Sequence, residues 1–258
     1  MFETLLLEID PRGVATVTLN RPDKRNAMSG EMIADLAACA AQLAADGDVR
    51  AVVLRGAGAM FCAGGDLNWM RAQIDADGET RAHEAGKLAA MLGAWNAMPK
   101  PVIGRIEGAA FGGGVGLACV CDVAIATTDA KFGLTETKLG LIPATIGPYV
   151  IARMGEGNAR RVFMSSRVFD AAEAQALGII ASLSDDLDAA IEAEITPYLS
   201  CAPGAVAEAK ALALHLGGAP AQAEVAHSIQ ALVTRWESDE SAQGIAAFFN
   251  KQKAPWNK

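Results

Sequence analysis

This 258-residue sequence has few histidines, no cysteines at metal-binding spacing, and fewer basic than acidic residues. The three histidines, His83, His215 and His227, form neither an HExxH motif nor a pair four residues apart, so we expect no zinc or other metal site. The five cysteines are odd in number and show no CxxC spacing, which indicates free thiols in a reducing compartment. We therefore expect a cytoplasmic protein without disulfides.

The sequence also lacks the charge pattern of a nucleic-acid-binding protein and the long apolar run of a membrane protein. Lys and Arg together number 22 and Asp and Glu number 30, which gives a net charge of −8, whereas phosphate binding needs clustered cations. The longest uncharged stretches, residues 108–121 and 139–152, are shorter than the roughly 18 residues of a membrane span. We predict no nucleic-acid partner and no membrane segment, and Glu3 and Glu8 argue against a secretory signal.

What is present favours an α/β fold. Apolar runs predict strands over Leu5–Ile9, Val14–Leu19, residues 51–55 and 101–106, and Val123–Ala126, and helical patterns lie between them at 31–45 and 80–98. Alternating strands and helices indicate a mostly parallel sheet. After about Gly155, Ala, Glu, Gln and Leu dominate, and we predict helices at 171–177, 187–199, 205–216, 221–236 and 241–249.

Two glycine-bearing segments each follow a predicted strand. They are FCAGGDL at 61–67 and GAAFGGGVGLA at 108–118. A helix start leaves backbone N–H groups unpaired, and glycine lets a ligand oxygen approach them, so two facing junctions would stabilise a developing oxyanion. The alternative for 112–116 is tight helix packing against the sheet. A dinucleotide site is disfavoured because the segment lacks the third glycine.

Four further residues each allow a structural interpretation. Glu136 lies in an otherwise apolar or small stretch, where desolvation would raise its pKa into the range useful for proton transfer, although a surface pair with Lys138 is the local alternative. Asp66 is also a suitable cap for a short helix at 67–71. Ser165 and Ser166 lie without a nucleophile elbow or nearby base, so we expect them on a helix surface.

Five ordered segments carry a resemblance to a known family over nearly the whole chain. They are LNRPDKRNAM at 19–28, FCAGGDL at 61–67, GAAFGGGVGLACVCD at 108–122, KFGLTETKLGLIP at 131–143 and GIAAFFNKQKAPW at 244–256. These segments resemble the crotonase, or enoyl-CoA hydratase/isomerase, superfamily. The resemblance implies an α/β spiral of ββα units over 1–195 and a helical region over 196–258 that mediates assembly into a homotrimer or a dimer of trimers.

The resemblance also implies an acyl-CoA thioester substrate, no cofactor beyond the CoA of that substrate, and a set of site residues. Gly65 and Gly113 would supply the oxyanion-hole amides, and Glu136 would be the catalytic acid and base. Residues matching the family's CoA site are Lys24, Arg25, Ala63, Asp66 and Leu67, completed by Phe248 and Lys251, which many members take from a neighbouring subunit.

One departure from the family pattern leaves the reaction open. Hydratases of the family use two glutamates, and here the first falls on Gly116. The run GLIPATIGPYV at 140–150 nevertheless resembles bacterial members assigned to methylglutaconyl-CoA or isoprenoid-type glutaconyl-CoA hydration. We therefore expect a hydratase acting on 3-methylglutaconyl-CoA or a related branched substrate, with Arg71 or Arg81 as candidate contacts for a distal carboxylate. The alternatives are a Δ3,Δ2-enoyl-CoA isomerase using Glu136 as its single base, and a non-catalytic acyl-CoA-binding subunit.

Overall fold

A six-stranded sheet lies at the centre of the structure, a computed structural model that describes residues 2–218 and 220–257. In spatial order its strands are β1 (Leu5–Ile9), β2 (Val14–Leu19), β3 (Ala51–Gly56), β4 (Val102–Ile106), β6 (Val123–Ala126) and β9 (Ser182–Leu183). β1 runs antiparallel to β2, and every other neighbouring pair is parallel. The prediction of an α/β fold with a mostly parallel sheet is confirmed.

The central strand β3 shows why its sequence is almost continuously apolar. Val52 and Leu54 belong to the main hydrophobic core on one face of the sheet. Ala51 and Val53 belong to a second core on the opposite face, which helix α8 (Leu187–Leu199) covers with Ile191. Because both faces are buried, successive side chains are all apolar rather than alternating with polar ones.

Two long helices cover the main core. α1 (Gly30–Ala45) begins at Ser29, whose side chain accepts a hydrogen bond from the Met32 N–H, as the sequence predicted. α3 (Gly78–Asn96) packs against α1, and its buried Trp95 donates from the indole nitrogen to the Leu36 carbonyl at 3.1 Å. The predicted helix at 80–98 is thus confirmed, with its end two residues earlier.

Four shorter helices surround the glycine segments. α2 (Leu67–Asp75) and α4 (Gly113–Val120) begin at the two segments themselves, and α5 (Gly147–Met154) packs against α4 and is followed by α6 (Glu156–Phe163). Neither α5 nor α6 was predicted from the sequence. Pro148 and the neighbouring glycine were typical of a loop, but proline is tolerated in the first helical turn because its missing N–H leaves no intrahelical bond unmade.

A second, three-stranded sheet was not predicted either. It consists of β5 (Ala109–Phe111), β7 (Lys131–Gly133) and β8 (Val168–Asp170), with β5 parallel and β8 antiparallel to β7. Each strand has three residues, too few for a periodic pattern. This small sheet positions the candidate site. β5 leads into α4, and β7 leads to Glu136. Because β8 pairs with β7, the residues just before β8 lie near the turn that contains Glu136.

The C-terminal third is mainly helical, as predicted. α7 (Ala171–Ala176) precedes α8, and the last helices are α9 (Pro203–Leu216), α10 (Gln222–Trp236) and α11 (Asp239–Phe249). α9 has no buried residue. The boundary predicted after residue 195 lies within α8 and stays a prediction. Among the described residues, no helix combines the length and the apolarity that crossing a membrane requires.

Candidate active site

The two glycine segments lie side by side. The Cys62 N–H donates to the Ala109 carbonyl at 3.1 Å, and the Phe111 N–H donates to the Cys62 carbonyl at 3.0 Å. Gly64 has φ +93°, and a Cβ there would lie 2.9 Å from the Phe111 carbonyl oxygen. Gly112 has φ +49°, and a Cβ there would lie 3.9 Å from the Gly64 Cα. The close approach to the Phe111 carbonyl requires glycine at position 64, and the positive φ favours glycine at position 112.

The approach leaves two backbone amides beside one cavity. Gly113 is the first residue of α4, and Gly65 directly precedes Asp66, the N-cap of α2. Within the described residues, neither the Gly65 nor the Gly113 N–H donates to a backbone carbonyl. Both residues line a cavity of about 290 Å³. Two unpaired donors at helix starts are suited to a ligand oxygen that carries negative charge.

Glu136 lies against the second glycine segment. It follows β7 and begins a 3-10 turn, Glu136–Leu139, and its Oε1 is 3.1 Å from the position that a Gly112 Cβ would occupy. Its Oε2 is buried without a hydrogen-bond partner among the described residues. Burial raises the pKa of Glu136 to about 7, so the carboxyl group can both lose and regain a proton near neutral pH. The alternative surface pair with Lys138 is not formed, because the carboxyl Oε2 is buried without a partner.

The position of the missing glutamate is filled by an apolar side chain. Gly116 is buried in α4, and a Cβ there would lie only 2.6 Å from Ile146 Cγ2. Ile146 and Glu136 both line the cavity. Among the described residues of the lining, Glu136 is the one carboxylate. The arrangement therefore offers two amides and a single acid–base group.

The structure brings some of the predicted CoA-site residues to the cavity. Ala63, Leu67 and Phe248 line it, and the side chains of the last two are 49% and 46% exposed. The Ala63 N–H donates to the Arg25 carbonyl at 3.0 Å, which places the backbone of Arg25 beside the first glycine segment. The roles of these residues in CoA binding stay predictions.

The three predicted cations lie outside the cavity lining. None of these three side chains lines the cavity, and all three are exposed to solvent: Lys24, Arg25 and Lys251. Arg25 and Lys251 have positive φ, at 53° each. Their exposure leaves them accessible to a polyanionic group outside the cavity, and their contact with the CoA phosphates remains a prediction.

Asp66 has a structural role in this site. Its carboxylate accepts hydrogen bonds from the Asn68 N–H at 2.8 Å and the Trp69 N–H at 3.3 Å, and it pairs with Arg21 at 3.0 Å. Burial opposes its ionisation, but these bonds together hold the pKa of Asp66 below its usual value. The cap interpretation is confirmed, with α2 extending to Asp75, whereas the predicted contact with CoA stays a prediction.

Arg71 and Arg81, the candidate contacts for a distal substrate carboxylate, do not line the cavity. The Arg71 guanidinium lies over the Phe249 ring, 4.5 Å from its centre. Arg81 donates to the Gln73 carbonyl at 2.8 Å and to the Ile74 carbonyl at 3.0 Å. Arg81 also lies over the ring of Trp236, a residue of the cavity lining, 5.7 Å from its centre. Contact of either guanidinium group with a substrate carboxylate stays a prediction.

Several residues that shape the site were not predicted from the sequence. The cavity walls include Met28, Trp69, Met70, Thr145, Ile146 and Trp236. Ser166 was expected on a helix surface, and this is wrong: it is 3% exposed, lies after α6, and contacts the turn that carries Glu136. Single residues from distant segments leave no periodic signal, so only the fold could bring them together.

Two free amides and a carboxyl group with a near-neutral pKa line one cavity, and together they define a site that can hold an enolate oxygen and transfer a proton. Comparison with known proteins agrees. The family described as enoyl-CoA hydratase/isomerase matches residues 10–258. The chain therefore belongs to the enoyl-CoA hydratase/isomerase family, the crotonase superfamily, and has its α/β fold with a helical C-terminal region.

Individual relatives cover nearly the whole chain. A Shewanella pealeana enoyl-CoA hydratase structure is 38% identical, covers 99% of this chain and 97% of its own, and has a TM-score of 0.82. The structure of Pseudomonas aeruginosa AtuE is 40% identical, covers 99% and 100%, and has a TM-score of 0.81. A Thermus thermophilus protein with a provisional enoyl-CoA hydratase name is 32% identical over 96% of this chain and 98% of its own.

Proposed function

We propose that the protein is an enoyl-CoA hydratase, which adds water across the double bond of a 2-enoyl-CoA thioester. The observation that carries this proposal is the position of the Glu136 carboxyl group against Gly112, directly beside the Gly65 and Gly113 amides in one cavity. The thioester oxygen would accept from these two amides. Hydratase names among relatives that span the chain support the same reaction.

The proposed reaction uses Glu136 first as a base and then as an acid. Ionised Glu136 accepts a proton from water while the water oxygen bonds to the β-carbon, and the double-bond electrons move to the thioester oxygen to form an enolate. Donation by the two amides stabilises this oxygen, an interaction that contributes roughly 2.7–4 kcal/mol per donor in other enzymes. Protonated Glu136 then gives its proton to the α-carbon. One carboxylate thereby completes the addition, and no cofactor beyond the substrate's CoA is needed.

The acyl group proposed is branched, with 3-methylglutaconyl-CoA or a related compound as the candidate. The walls supplied by Met28, Met70 and Ile146 favour an apolar branch. Lys138 is the one cation among the described lining residues, and it would pair with the distal carboxylate of a glutaconyl-type substrate. A neutral branched acyl group would use the apolar walls alone.

A mass-spectrometric panel of 2-enoyl-CoA esters tests the reaction and the acyl preference together. We expect a mass increase of one water for branched substrates and loss of turnover, but not of CoA-ester binding, in Glu136→Gln. Lys138→Met should weaken only carboxylated substrates if these are the preferred ones. Full hydration activity in Glu136→Gln would contradict the role of Glu136. Binding of every ester with turnover of none would favour the non-catalytic alternative.

The second candidate is a Δ3,Δ2-enoyl-CoA isomerase, and the observation that favours it is Ile146 in place of a second carboxylate. A single base can remove a proton from carbon 2 and return it to carbon 4. Incubation with a 3-enoyl-CoA in deuterated water separates the candidates. Deuterated 2-enoyl-CoA would support the isomerase, whereas an unchanged 3-enoyl-CoA together with hydration of the matching 2-enoyl-CoA would support the hydratase.

We also propose that the chain assembles as a homotrimer or a dimer of trimers. Helix α9 without a buried residue and the exposed Leu212 and Leu216, at 58% and 75%, support an interface on this helix. The cytoplasmic location stays a prediction. It is supported by five cysteines that are all free in the structure, four of them buried.

A further inference from the structure

Ser166 has a backbone conformation that is unfavourable for its residue type. Its φ is +48°, in the left-handed region, where a Cβ crowds the following carbonyl. Glycine would occupy this position without strain. The side chain is buried, so the hydroxyl group is not placed there for solvation. Backbone strain of this kind persists only where surrounding contacts enforce it, and it is common at functional sites.

The hydroxyl group is bonded to the turn that begins with Glu136. Ser166 Oγ accepts from the Lys138 N–H at 3.0 Å and shares a hydrogen bond with the Thr137 hydroxyl. The Lys138 N–H also donates to the Thr135 carbonyl at 3.2 Å, so Ser166 provides a second acceptor for it. The middle of the turn is therefore connected to the segment before β8, on a different part of the chain.

Among the described residues, the Glu136 carboxyl group interacts with its own backbone N–H and with no other hydrogen-bond donor. Its Oε2 has no hydrogen-bond partner in the described part of the chain. The position of the carboxyl group against Gly112 therefore depends on the backbone of the turn. At the other end of the turn, Arg235 donates to the Gly140 carbonyl at 2.9 Å from Nε and 2.6 Å from Nη2.

We propose that Ser166 is a positioning residue for Glu136, because its hydroxyl group fixes the Glu136–Leu139 turn and so holds the carboxyl group beside the Gly65 and Gly113 amides. This inference rests on the proposed function, in which Glu136 transfers the proton. The hydrogen bonds of the Ser166 hydroxyl group to Thr137 and Lys138 compensate for the unfavourable φ of Ser166.

The test uses Ser166→Gly, which removes the hydroxyl group and the backbone strain together. We expect this variant to keep a melting temperature close to that of the parent, while kcat for CoA-ester turnover falls about 10- to 100-fold, as expected for a misplaced catalytic group, and KM changes little. The matched control is Ser165→Gly, next in sequence but exposed, whose hydroxyl bonds only to the Arg161 carbonyl at 3.2 Å. The control should keep the parent kcat.

A second readout does not depend on turnover. Infrared difference spectra, with Glu136→Gln as the reference, follow the ionisation of Glu136 directly. A loosened turn admits water, so Ser166→Gly should titrate this carboxyl group at lower pH than the parent. Lys138 is the other charged residue among the described residues lining the cavity, and it remains in every variant. Thr137→Val should lower kcat in the same direction as Ser166→Gly, and Thr137→Ser, which keeps the hydroxyl group, should restore it.

These outcomes separate the two proposals. If the parent turns over no CoA ester, the proposed function fails, and the infrared titration still tests Ser166. If Ser166→Gly does not fold, Thr137→Val removes the paired hydroxyl group and carries the same test. Unchanged kcat and unchanged Glu136 titration in these variants would overturn the inference, as would equal losses in Ser165→Gly.

Discussion

Burial of the Glu136 carboxyl group, which the proposed function requires, lowers the stability of the folded protein when the group is ionised. Its carboxyl group is desolvated among apolar walls, and its pKa is about 7 compared with 4.5 for an exposed glutamate. The folded state therefore binds this proton more tightly than the unfolded chain does. The contribution to the free energy of unfolding is favourable at low pH and is lost as pH rises from about 4.5 through about 7.

Replacing Glu136 with Gln should consequently stabilise the protein at high pH only. At about pH 9 the parent buries an ionised carboxylate, and a shift of this size corresponds to a gain on the order of 3 kcal/mol in Glu136→Gln. At about pH 5 the two proteins should be equal, since the glutamate is then protonated. Denaturant unfolding at both pH values measures the difference. Glu208→Gln, exposed on α9, is the control and should show none. An equal effect at both pH values would contradict the desolvated carboxyl group.

Gly116 and Ile146 are complementary in volume. A glutamate at position 116 would overlap Ile146 Cγ2 and Cβ, which lie 2.6 and 3.0 Å from the first side-chain atom. We expect Gly116→Glu to lower the free energy of unfolding by at least the roughly 1–3 kcal/mol typical of overpacking. Combining it with Ile146→Gly should recover part of that loss, as measured by denaturant unfolding. A stable single variant, or a double variant no better than the single one, would contradict this packing.

Residue-level prediction from sequence succeeded where a local pattern existed. Ser29 and Asp66 were recognisable as helix caps because each directly precedes a helical segment. The neighbours of Glu136 left both a buried carboxyl group and a surface pair with Lys138 open. Ile146 and Ser166 could not be found in this way. Their importance comes from contacts across about 30 residues, to Gly116 and to the Glu136 turn, which only the folded chain creates.

At the scale of elements, helix α4 depends on a partner at its C-terminal end. Three of its eight residues are glycine, and its N-cap Gly112 has no side chain to contribute. Arg153, on α5, donates to the Cys119 carbonyl at 3.1 Å and the Asp122 carbonyl at 3.2 Å, and also bonds to the Cys121 carbonyl. A cation at this end satisfies the free carbonyls and the helix dipole.

Arg153→Met should therefore destabilise the protein and reduce kcat. We expect a loss of about 1.5–3 kcal/mol, the value of a hydrogen bond to a charged group, and lower kcat because Gly113 at the other end of α4 loses its fixed position. Thermal unfolding and steady-state kinetics measure the two effects. Arg160→Met, which breaks only an exposed pair with Glu156, is the control and should change neither. Unchanged stability in Arg153→Met would contradict the capping role.

Longer and more deeply buried helices and strands were predicted more accurately from the sequence than short ones. β3, α1 and α8 have patterns of several residues and were predicted nearly to their ends. The strands of the small sheet have three residues each, and their existence depends on pairing between distant segments. The small sheet brings Glu136 to the glycine segments. The sequence therefore indicated which residues belong to the site, but not their positions relative to one another.

At the scale of the whole molecule, the exposed apolar residues of α9 bear on assembly. We expect light scattering after size-exclusion chromatography to give three or six times the monomer mass at micromolar concentration. Leu212→Glu combined with Leu216→Glu should shift the protein to a smaller species, because each places a charge on the proposed interface. Glu208→Gln, on the same helix, should leave the mass unchanged. A monomeric parent would contradict the proposed trimer.

In the proposed hydration, Glu136 passes a solvent-derived proton to the α-carbon of a thioester enolate held by the Gly65 and Gly113 amides. The most direct test is incubation of a 2-enoyl-CoA in deuterated water, followed by mass spectrometry after return to ordinary water. We expect a hydroxyacyl-CoA heavier than the substrate by one water and one carbon-bound deuterium, and no such product with Glu136→Gln. A hydroxyacyl product without deuterium on the α-carbon, or the same labelled product from Glu136→Gln, would contradict it.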